Sequence, residues 1–176
     1  MARRFPIIWL TGNTGAGKTT LARAAETFCN EVCAEDSPAA RRCIVLDGDE
    51  MRSTISLGAT LSPEDRRTHN LRVARLANLL SERGFLVVVS VIAPFASVRK
   101  EIDALCRPLW VYVKRSGLEA VDRPYEVPAY PTLTINNDMH SKDEALGLFL
   151  QFLRGIVAGS GLKSRGRRQS LSSHRA

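Results

Sequence analysis

The chain has 176 residues, of which 44% are hydrophobic, and it carries 25 Lys and Arg against 18 Asp and Glu, a formal net charge of +7. This length and composition suit one domain with one well-filled core, and they exclude collagen-like, disordered and disulfide-scaffold proteins. The positive charge taken alone suggests a nucleic-acid partner.

The excess of positive charge lies at the two ends of the chain. Arg3 and Arg4 open it, and the segment 163–176 holds five basic residues and no acidic one. Without these seven, 18 basic residues face 18 acidic ones, so the body from Phe5 to Leu162 is neutral. We therefore expect a single domain over residues 1–162 and a basic disordered tail over residues 163–176. Five cations without aromatic neighbours predict only weak, salt-sensitive binding, so nucleic acid is not an expected partner.

Short apolar runs alternate with helical patterns along the body, which predicts an α/β fold with a parallel five-stranded sheet and helices on both faces. The expected strands are Pro6 to Leu10, Cys43 to Leu46, Phe85 to Val91, Leu109 to Val113 and Leu133 to Ile135. The expected helices are Lys18 to Val32, Ser62 to Arg83, Ala96 to Cys106 and a last one that starts at Ser141 and includes Ala145 to Val157.

Two helix starts are marked by capping residues. Ser62 suits an N-cap, with Pro63 at the first helical position and Asp65 at the third. Ser141 and Glu144 have the spacing of a capping box.

Nothing in the pattern indicates a membrane or secreted protein. The longest apolar run, Phe85 to Phe95, is too short to cross a bilayer and is interrupted by Ser90 and Pro94. The N-terminus lacks the layout of a signal peptide, so we expect a cytoplasmic protein. The four cysteines show no CxxC spacing, which favours reduced thiols over zinc ligands.

Residues 12–19 match the phosphate-loop pattern GxxxxGK[ST], between the first predicted strand and the first predicted helix. In such a loop, backbone N–H groups face anionic oxygens, the lysine reaches the β- and γ-phosphates, and the hydroxyl binds Mg²⁺. The pattern predicts a nucleoside triphosphate with Mg²⁺ but does not name the reaction. The expected ATP-binding residues are Gly12, Asn13, Thr14, Gly15, Ala16, Gly17, Lys18, Thr19 and Thr20.

Two carboxylates, Asp47 and Asp49, follow the second predicted strand, at the edge where doubly wound sheets bind ligands. One is suited to accept a proton from a hydroxyl acceptor, and the other to help hold Mg²⁺. An Asp-Gly-Asp turn is equally common as plain loop chemistry, and only the neighbouring phosphate loop favours catalysis.

Several arginines follow the carboxylates, and a guanidinium group suits bidentate binding of phosphate or sulfate. Arg52, Arg66 and Arg72 are candidates for that role, whereas for Arg67 and Arg75 a solvated helix face is the preferred interpretation. The spacing of His69 and Asn70 leaves open whether they are site residues or ordinary polar residues of a helix.

Taken together, these blocks resemble adenylyl-sulfate kinase. The likeness spans nearly the whole body and is carried by Gly12 to Thr19, Leu46 to Asp49 with Arg52, Ser62 to Arg66, Val89 to Phe95, and Pro124 to Glu126 with Pro128. It implies a P-loop nucleoside-triphosphate hydrolase-like three-layer sandwich. It also implies transfer of phosphate from MgATP to the ribose 3′-hydroxyl of adenylyl sulfate, giving 3′-phosphoadenylyl sulfate. Members of the family are often dimers, so a homodimer is among the implied assemblies.

The resemblance also implies roles for individual residues. Lys18 and Thr19 would hold the ATP phosphates and Mg²⁺, and Asp47 would support the metal. Asp49 would be the catalytic base, beside Lys18 as the other catalytic residue. The expected contacts of the acceptor are Arg52, Arg66, His69, Asn70 and Ala93.

The sequence departs from the family pattern around the acceptor. Ala59 stands where the family has a stacking aromatic residue, His69 where it has Asn, and Ala93 where it has Ser. The lid before Pro124, with its second aromatic residue, is missing. These departures keep two alternatives open, a P-loop kinase for another nucleotide-linked or sugar acceptor and a non-catalytic nucleotide-binding module. The joint presence of the lysine, the carboxylates and the arginines argues against the second.

Overall fold

The computed structural model describes residues 4–34, 43–119 and 124–165. Its strands are β1 (Ile7–Thr11), β2 (Cys43–Asp47), β3 (Leu86–Ser90), β4 (Leu109–Lys114) and β5 (Leu133–Asn136). Its helices are α1 (Lys18–Ala34), α2 (Gly48–Ser53), α3 (Pro63–Glu82), α4 (Ala96–Cys106) and α5 (Lys142–Arg165).

The five strands form one parallel sheet in the order β2-β3-β1-β4-β5. Alternate residues of each central strand are buried on opposite faces, as expected where helices cover both sides of a sheet. In β1, Ile8 and Leu10 pack with α1 and α5, whereas Ile7 and Trp9 pack with α3 and α4. The predicted three-layer α/β sandwich with five parallel strands is confirmed.

Strand β1 lies between β3 and β4: the chain first crosses from β1 to β2 on one side of the sheet and later from β3 past β1 to β4 on the other side. This is the topological switch point of a doubly wound sheet, where ligands bind beyond the carboxyl ends of the strands. The fold therefore brings the β1–α1 loop, the end of β2 and the end of β3 to one edge.

The local signals in the sequence define the helix starts correctly. The Ser62 hydroxyl accepts a hydrogen bond from the Asp65 N–H at 3.2 Å, with Pro63 in the first helical turn. The Glu144 carboxylate accepts from the Ser141 N–H at 2.7 Å, which completes the predicted capping box.

Helix α2 and the end of helix α5 differ from the prediction by more than the one- or two-residue shifts at the ends of other elements. Helix α2 was not expected, because Asp47, Gly48 and Asp49 suit a turn; in the structure Asp47 is the N-cap of that helix. Helix α5 extends beyond Leu162 to Arg165, into the predicted tail, because Gly155, Gly159 and Gly161 weaken a helix without ending it. The rest of the tail, 166–176, lies outside the described residues. Within the described part of the chain, no helix has the length and apolarity needed to span a membrane.

Candidate active site

The phosphate loop joins β1 to α1 in a conformation that only glycine permits at its first position. Gly12 has φ +150°, and a Cβ there would lie 2.3 Å from the carbonyl oxygen of Val113 in β4. Lys18 Nζ donates to the carbonyls of Gly12 at 2.9 Å and Asn13 at 2.8 Å. The lysine thus lies along the inner side of the loop, where it can reach the oxygens of a bound phosphate.

Burial lowers the pKa of Lys18 to about 8, although Asp47 and Asp49 oppose that shift. The buried ammonium loses hydration that no single carboxylate replaces, so its charged form is stabilised less than in water. A bound polyphosphate would supply the missing negative charge.

Asp47 connects the phosphate loop to the second carboxylate. Its Oδ2 accepts a hydrogen bond from Thr19 Oγ1 at 3.1 Å, and its Oδ1 accepts from the Asp49 N–H at 3.0 Å. The second contact is the N-cap of α2, so one carboxylate both starts that helix and holds the loop hydroxyl. As a result Asp49 stands in the first turn of α2, facing the phosphate loop.

An open cleft of about 560 Å³ lies in front of the loop. Its walls come from the loop, the end of β2 with α2, the first turns of α3, and the residues at the end of β3. The predicted site residues among them are Thr14, Gly15, Lys18, Thr19, Asp47, Asp49, Arg52, Arg66 and His69, joined by Leu61, Ser90, Val91 and Ile92.

Arg52 and Arg66 approach the cleft from different helices and are held by backbone carbonyls. Arg66 Nε donates to the carbonyl of Leu61 at 2.8 Å, and Arg52 Nη1 donates to that of Thr60 at 3.4 Å. The pKa of Arg52 is lowered by burial and then by the nearby Arg66, while Asp49 opposes the shift. Two guanidinium groups that repel each other near one carboxylate form a site for an anion with several oxygens.

Arg67 takes no part in the cleft, in agreement with the helix-face interpretation. It makes a bidentate ion pair with Glu101 of α4, with N–O distances of 2.8 and 2.6 Å, and a longer one with Glu64. The next residue along the chain from Arg66 therefore links α3 to α4 at the surface.

His69 is 1% exposed yet lines the cleft. Its Nδ1 lies 2.9 Å from Ser56 Oγ, and its Nε2 has no partner among the described residues. Burial, followed by Arg52 and Arg72, lowers the pKa of His69 to about 4, so the ring is neutral near pH 7. The Ser90 hydroxyl, also buried in the cleft wall, has no partner within the described residues either.

Two predicted acceptor contacts do not reach the cleft. Ala93 is fully buried, and its carbonyl accepts from Arg99 Nη1 at 2.7 Å, so its side chain has no access to a ligand. Asn70, the next residue of α3, is 2% exposed and is not among the residues of the cleft wall. Contact of these two residues with the acceptor stays a prediction, which the position of neither side chain supports.

The segment Pro124 to Glu126, which follows β4, is hydrogen-bonded to the end of β1 and to the start of α4. Tyr125 Oη lies 3.0 Å from Thr11 Oγ1 at the end of β1, and the Tyr125 ring stacks on Tyr112. The Glu126 carboxylate accepts from the Ala96 N–H at 2.6 Å and so caps α4. These contacts could not be predicted from the sequence, because Thr11 and Ala96 lie far from Tyr125 and Glu126 in the chain.

A second cavity, of about 280 Å³, lies on the other side of the phosphate loop. Thr20, an expected ATP-binding residue, lines this cavity and not the cleft. Its wall also contains Ala16, Gly17, Leu21, Arg115, Asn137, His140, Lys142, Ala145 and Leu146. Asn137 was missed from the sequence, although its place directly after β5, at the ligand-binding edge, was a usable signal.

The residues near Thr19 suit Mg²⁺. A hydroxyl and a carboxylate 3.1 Å apart are hard oxygen ligands, which Mg²⁺ prefers. No cluster of three or more His, Cys, Asp or Glu within the described ranges could enclose a metal ion. The Thr19 hydroxyl and the Asp47 carboxylate therefore fit an ion that takes its remaining ligands from substrate phosphates and water.

The parallel sheet with a phosphate loop at its switch point, beside a cleft of carboxylates and arginines, defines a P-loop kinase. A family profile described as adenylylsulphate kinase matches residues 4–116. A probable adenylyl-sulfate kinase of Synechocystis is 33% identical over 87% of this chain and 96% of its own length. An adenylyl-sulfate kinase of Chloroflexus aurantiacus is 35% identical over 85% and 89%. The chain belongs to the adenylyl-sulfate kinase family, which confirms the resemblance.

Solved structures agree with this assignment. The APS kinase of Mycobacterium tuberculosis, solved in complex with AMPPNP and APS, superposes with a TM-score of 0.72 and 25% identity, covering 86% of this chain and 98% of that one. A hexameric APS kinase from Thiobacillus denitrificans gives a TM-score of 0.70 at 28% identity, covering 88% of this chain and 29% of that one.

Proposed function

We propose that this protein transfers the γ-phosphoryl group of MgATP to the ribose 3′-hydroxyl of adenylyl sulfate, giving ADP and 3′-phosphoadenylyl sulfate. The observation that carries the proposal is the convergence of Lys18, Asp49, Arg52 and Arg66 on one cleft, in a chain of the adenylyl-sulfate kinase family.

Two cavities on opposite sides of one phosphate loop suit a reaction between two nucleotides. Thr14 and Lys18 face the larger cleft, while Gly17 and Thr20 face the smaller cavity. We assign the smaller cavity to the nucleoside of ATP and the larger cleft to the acceptor. The triphosphate would then cross the loop, with its γ-phosphoryl group directed at the cleft.

Asp49 is assigned as the base. It would accept the proton of the 3′-hydroxyl as that oxygen bonds to the γ-phosphorus and the bond from this phosphorus to the β–γ bridging oxygen breaks. ADP leaves with the bridging electron pair, and Lys18 offsets the charge on the phosphate oxygens. Arg52 and Arg66 would hold the phosphosulfate group and fix the distance between hydroxyl and phosphorus.

Thr19 and Asp47 are assigned to Mg²⁺, which when bound neutralises charge on the β- and γ-phosphates. The present hydrogen bond between them keeps both oxygens on the same side of the loop.

His69 is assigned to the acceptor. It is neutral, its ring is fixed by Ser56, and Nε2 is its remaining polar atom. A buried polar atom without a partner is costly, and a ligand that provides one is bound more tightly.

One observation favours a second candidate, a kinase for another nucleotide-linked or sugar acceptor. Among the described residues that line the cleft, the aliphatic Leu61 stands at the rim, and His69 is the one ring. Each missing base-stacking contact costs about 1 to 3 kcal/mol of acceptor binding, by analogy with proteins that bind single strands.

A panel of acceptors separates the two candidates. Purified protein with MgATP is given adenylyl sulfate, other nucleotide-linked metabolites or phosphorylated sugars, and ADP formation is measured. We expect the highest kcat/KM with adenylyl sulfate; a higher value with another acceptor would assign the second function. A homodimer and a cytoplasmic location remain predictions, of which light scattering after size exclusion tests the first.

A further inference from the structure

The phosphate loop has little regular secondary structure, so its carbonyl groups must be held by other parts of the chain. Lys18 holds the carbonyls of Gly12 and Asn13. The Ala16 carbonyl is held from outside the loop, by Asn137 Nδ2 at 2.7 Å. Arg115 Nη1 makes a longer contact of 3.4 Å, at the surface, to the Gly15 carbonyl.

Asn137 is fixed at the end of β5 before it contacts the loop. Its N–H donates to the Lys114 carbonyl at 2.9 Å, which extends the pairing between β4 and β5. The neighbouring Asp138 carboxylate accepts from the Ser116 N–H at 2.8 Å and from the Ser116 hydroxyl at 2.7 Å. The side chain therefore projects from a backbone that is tied on both sides.

The loop is shaped to receive this side chain. Gly17 has φ +107°, and a Cβ there would lie 3.2 Å from Asn137 Nδ2. A larger residue at position 17 would press on the amide as well as strain the backbone. The close approach of the phosphate loop to the end of β5 therefore depends on glycine at position 17 and on the fixed amide of Asn137.

Because a trans peptide is planar, a carbonyl and the N–H that follows it point in opposite directions. The hydrogen bond from Asn137 Nδ2 to the Ala16 carbonyl therefore turns the Gly17 N–H away from Asn137. Anions are bound in such loops by backbone N–H groups turned toward them.

We propose that Asn137 is a positioning residue for the phosphoryl donor, which sets the Ala16–Gly17 peptide of the phosphate loop in its anion-binding orientation. This inference rests on the proposed use of ATP. It concerns the donor and not the acceptor, since Asn137 lines the smaller cavity and lies outside the cleft wall.

The test compares Asn137→Ala and Asn137→Asp with the unchanged protein. Aspartate keeps the size of the side chain but loses the donor, and alanine loses the donor without adding charge. Asn78→Ala is the matched control, since Asn78 lies on α3 and donates to Glu82 at the surface. Binding of MgADP is measured by calorimetry, KM for ATP and for the acceptor by initial rates, and folding by thermal melting.

We expect both Asn137 variants to bind MgADP more weakly and to raise KM for ATP by about tenfold, the size of one hydrogen bond at a buried site. KM for the acceptor and the melting temperature should stay near those of the control. Unchanged MgADP affinity in Asn137→Ala would contradict the inference, and so would loss of the melting transition in both variants. If the unchanged protein itself bound no MgADP, the proposed function would fail instead.

Discussion

Asp47 links the start of helix α2 to the phosphate loop. It caps α2 through the Asp49 N–H and accepts from Thr19 on the phosphate loop. The position of Asp49 depends on that cap, because the cap starts the helix whose first turn carries it. Replacing Asp47 is therefore expected to affect the protein differently from replacing Asp49.

Asp49→Ala tests the assignment of the base. Loss of the proton acceptor should lower kcat by about 100-fold or more, because general-base catalysis contributes on this scale. Affinity for MgADP should remain within about twofold, since Asp49 is not assigned to the donor. Initial rates and calorimetry measure the two effects, with Glu50→Ala on the same helical turn as control. An equal loss of MgADP binding would give Asp49 a role in folding or metal binding.

Lys18 predicts a fall in rate at alkaline pH. Its pKa of about 8 means that the free enzyme loses the ammonium as pH rises through that value. The kcat/KM for ATP, which reports on the free enzyme, should fall above about pH 8. In Lys18→Arg the remaining activity should lack this fall, because a guanidinium stays charged. A level profile up to pH 10 in the unchanged protein would refute the assignment.

His69 predicts a loss of stability in mild acid. Its pKa is about 4 in the folded protein and near 6.5 when unfolded, so protons bind preferentially to the unfolded chain. The contribution of His69 to the free energy of unfolding is complete above about pH 6.5. It is lost as pH falls toward 4, by up to about 3 kcal/mol.

Urea denaturation at pH 7 and at about pH 4.5 measures this effect. In His69→Asn the free energy of unfolding should change less between these pH values than in the unchanged protein. His140→Asn, on a half-buried residue near α5, serves as control. The same pH dependence in His69→Asn would show that other groups cause it.

At the scale of elements, the connection between α2 and α3 contributes Leu61 to the wall of the larger cleft. Leu61 lines the cleft and is 64% exposed, and Leu57 is 82% exposed. Ala59, half-buried between them, stands where the family resemblance places a stacking ring. Leu57, Ala59 and Leu61 are aliphatic, so they present no flat aromatic face.

Ala59→Phe should therefore improve acceptor binding. A stacking contact is worth about 1 to 3 kcal/mol, so KM for adenylyl sulfate should fall by about fivefold or more. KM for ATP should not change, and Leu57→Phe, on the same connection, is the control, because the family resemblance places the stacking ring at position 59. An unchanged or higher KM for adenylyl sulfate would mean that position 59 does not face the acceptor base.

The sequence predicts elements well where the signal is local. Ser62, Pro63 and Asp65 mark the start of α3, and the apolar runs mark all five strands. Helix α2 is missed because six residues give too little periodicity. Asn137 is missed because its role depends on a contact with Ala16, far away in the chain, which only the sheet order creates.

At the scale of the whole molecule, the distribution of charge is more informative than its sum. The net charge of +7 comes from the two ends, and the body is neutral. Within that body Arg52 and Arg66 are placed at one cleft, whereas Arg67, next in sequence, is paired with Glu101 at the surface. Periodicity predicts that these arginines lie on a helix, but only packing decides which of them face a ligand.

The two cavities on either side of the phosphate loop give the molecule the form of a two-substrate kinase. That arrangement follows from the switch point at β1, which the alternation of strands and helices predicts in outline. The identity of the acceptor is not carried by the fold, because other P-loop kinases share it.

The most direct test is mass spectrometry of the products formed from adenylyl sulfate and MgATP by the purified protein. From the unchanged protein we predict equal amounts of ADP and 3′-phosphoadenylyl sulfate. Asp49→Ala should form far less of both products. ADP formed without a phosphorylated acceptor, or phosphate attached elsewhere than the 3′-hydroxyl, would contradict the proposed function.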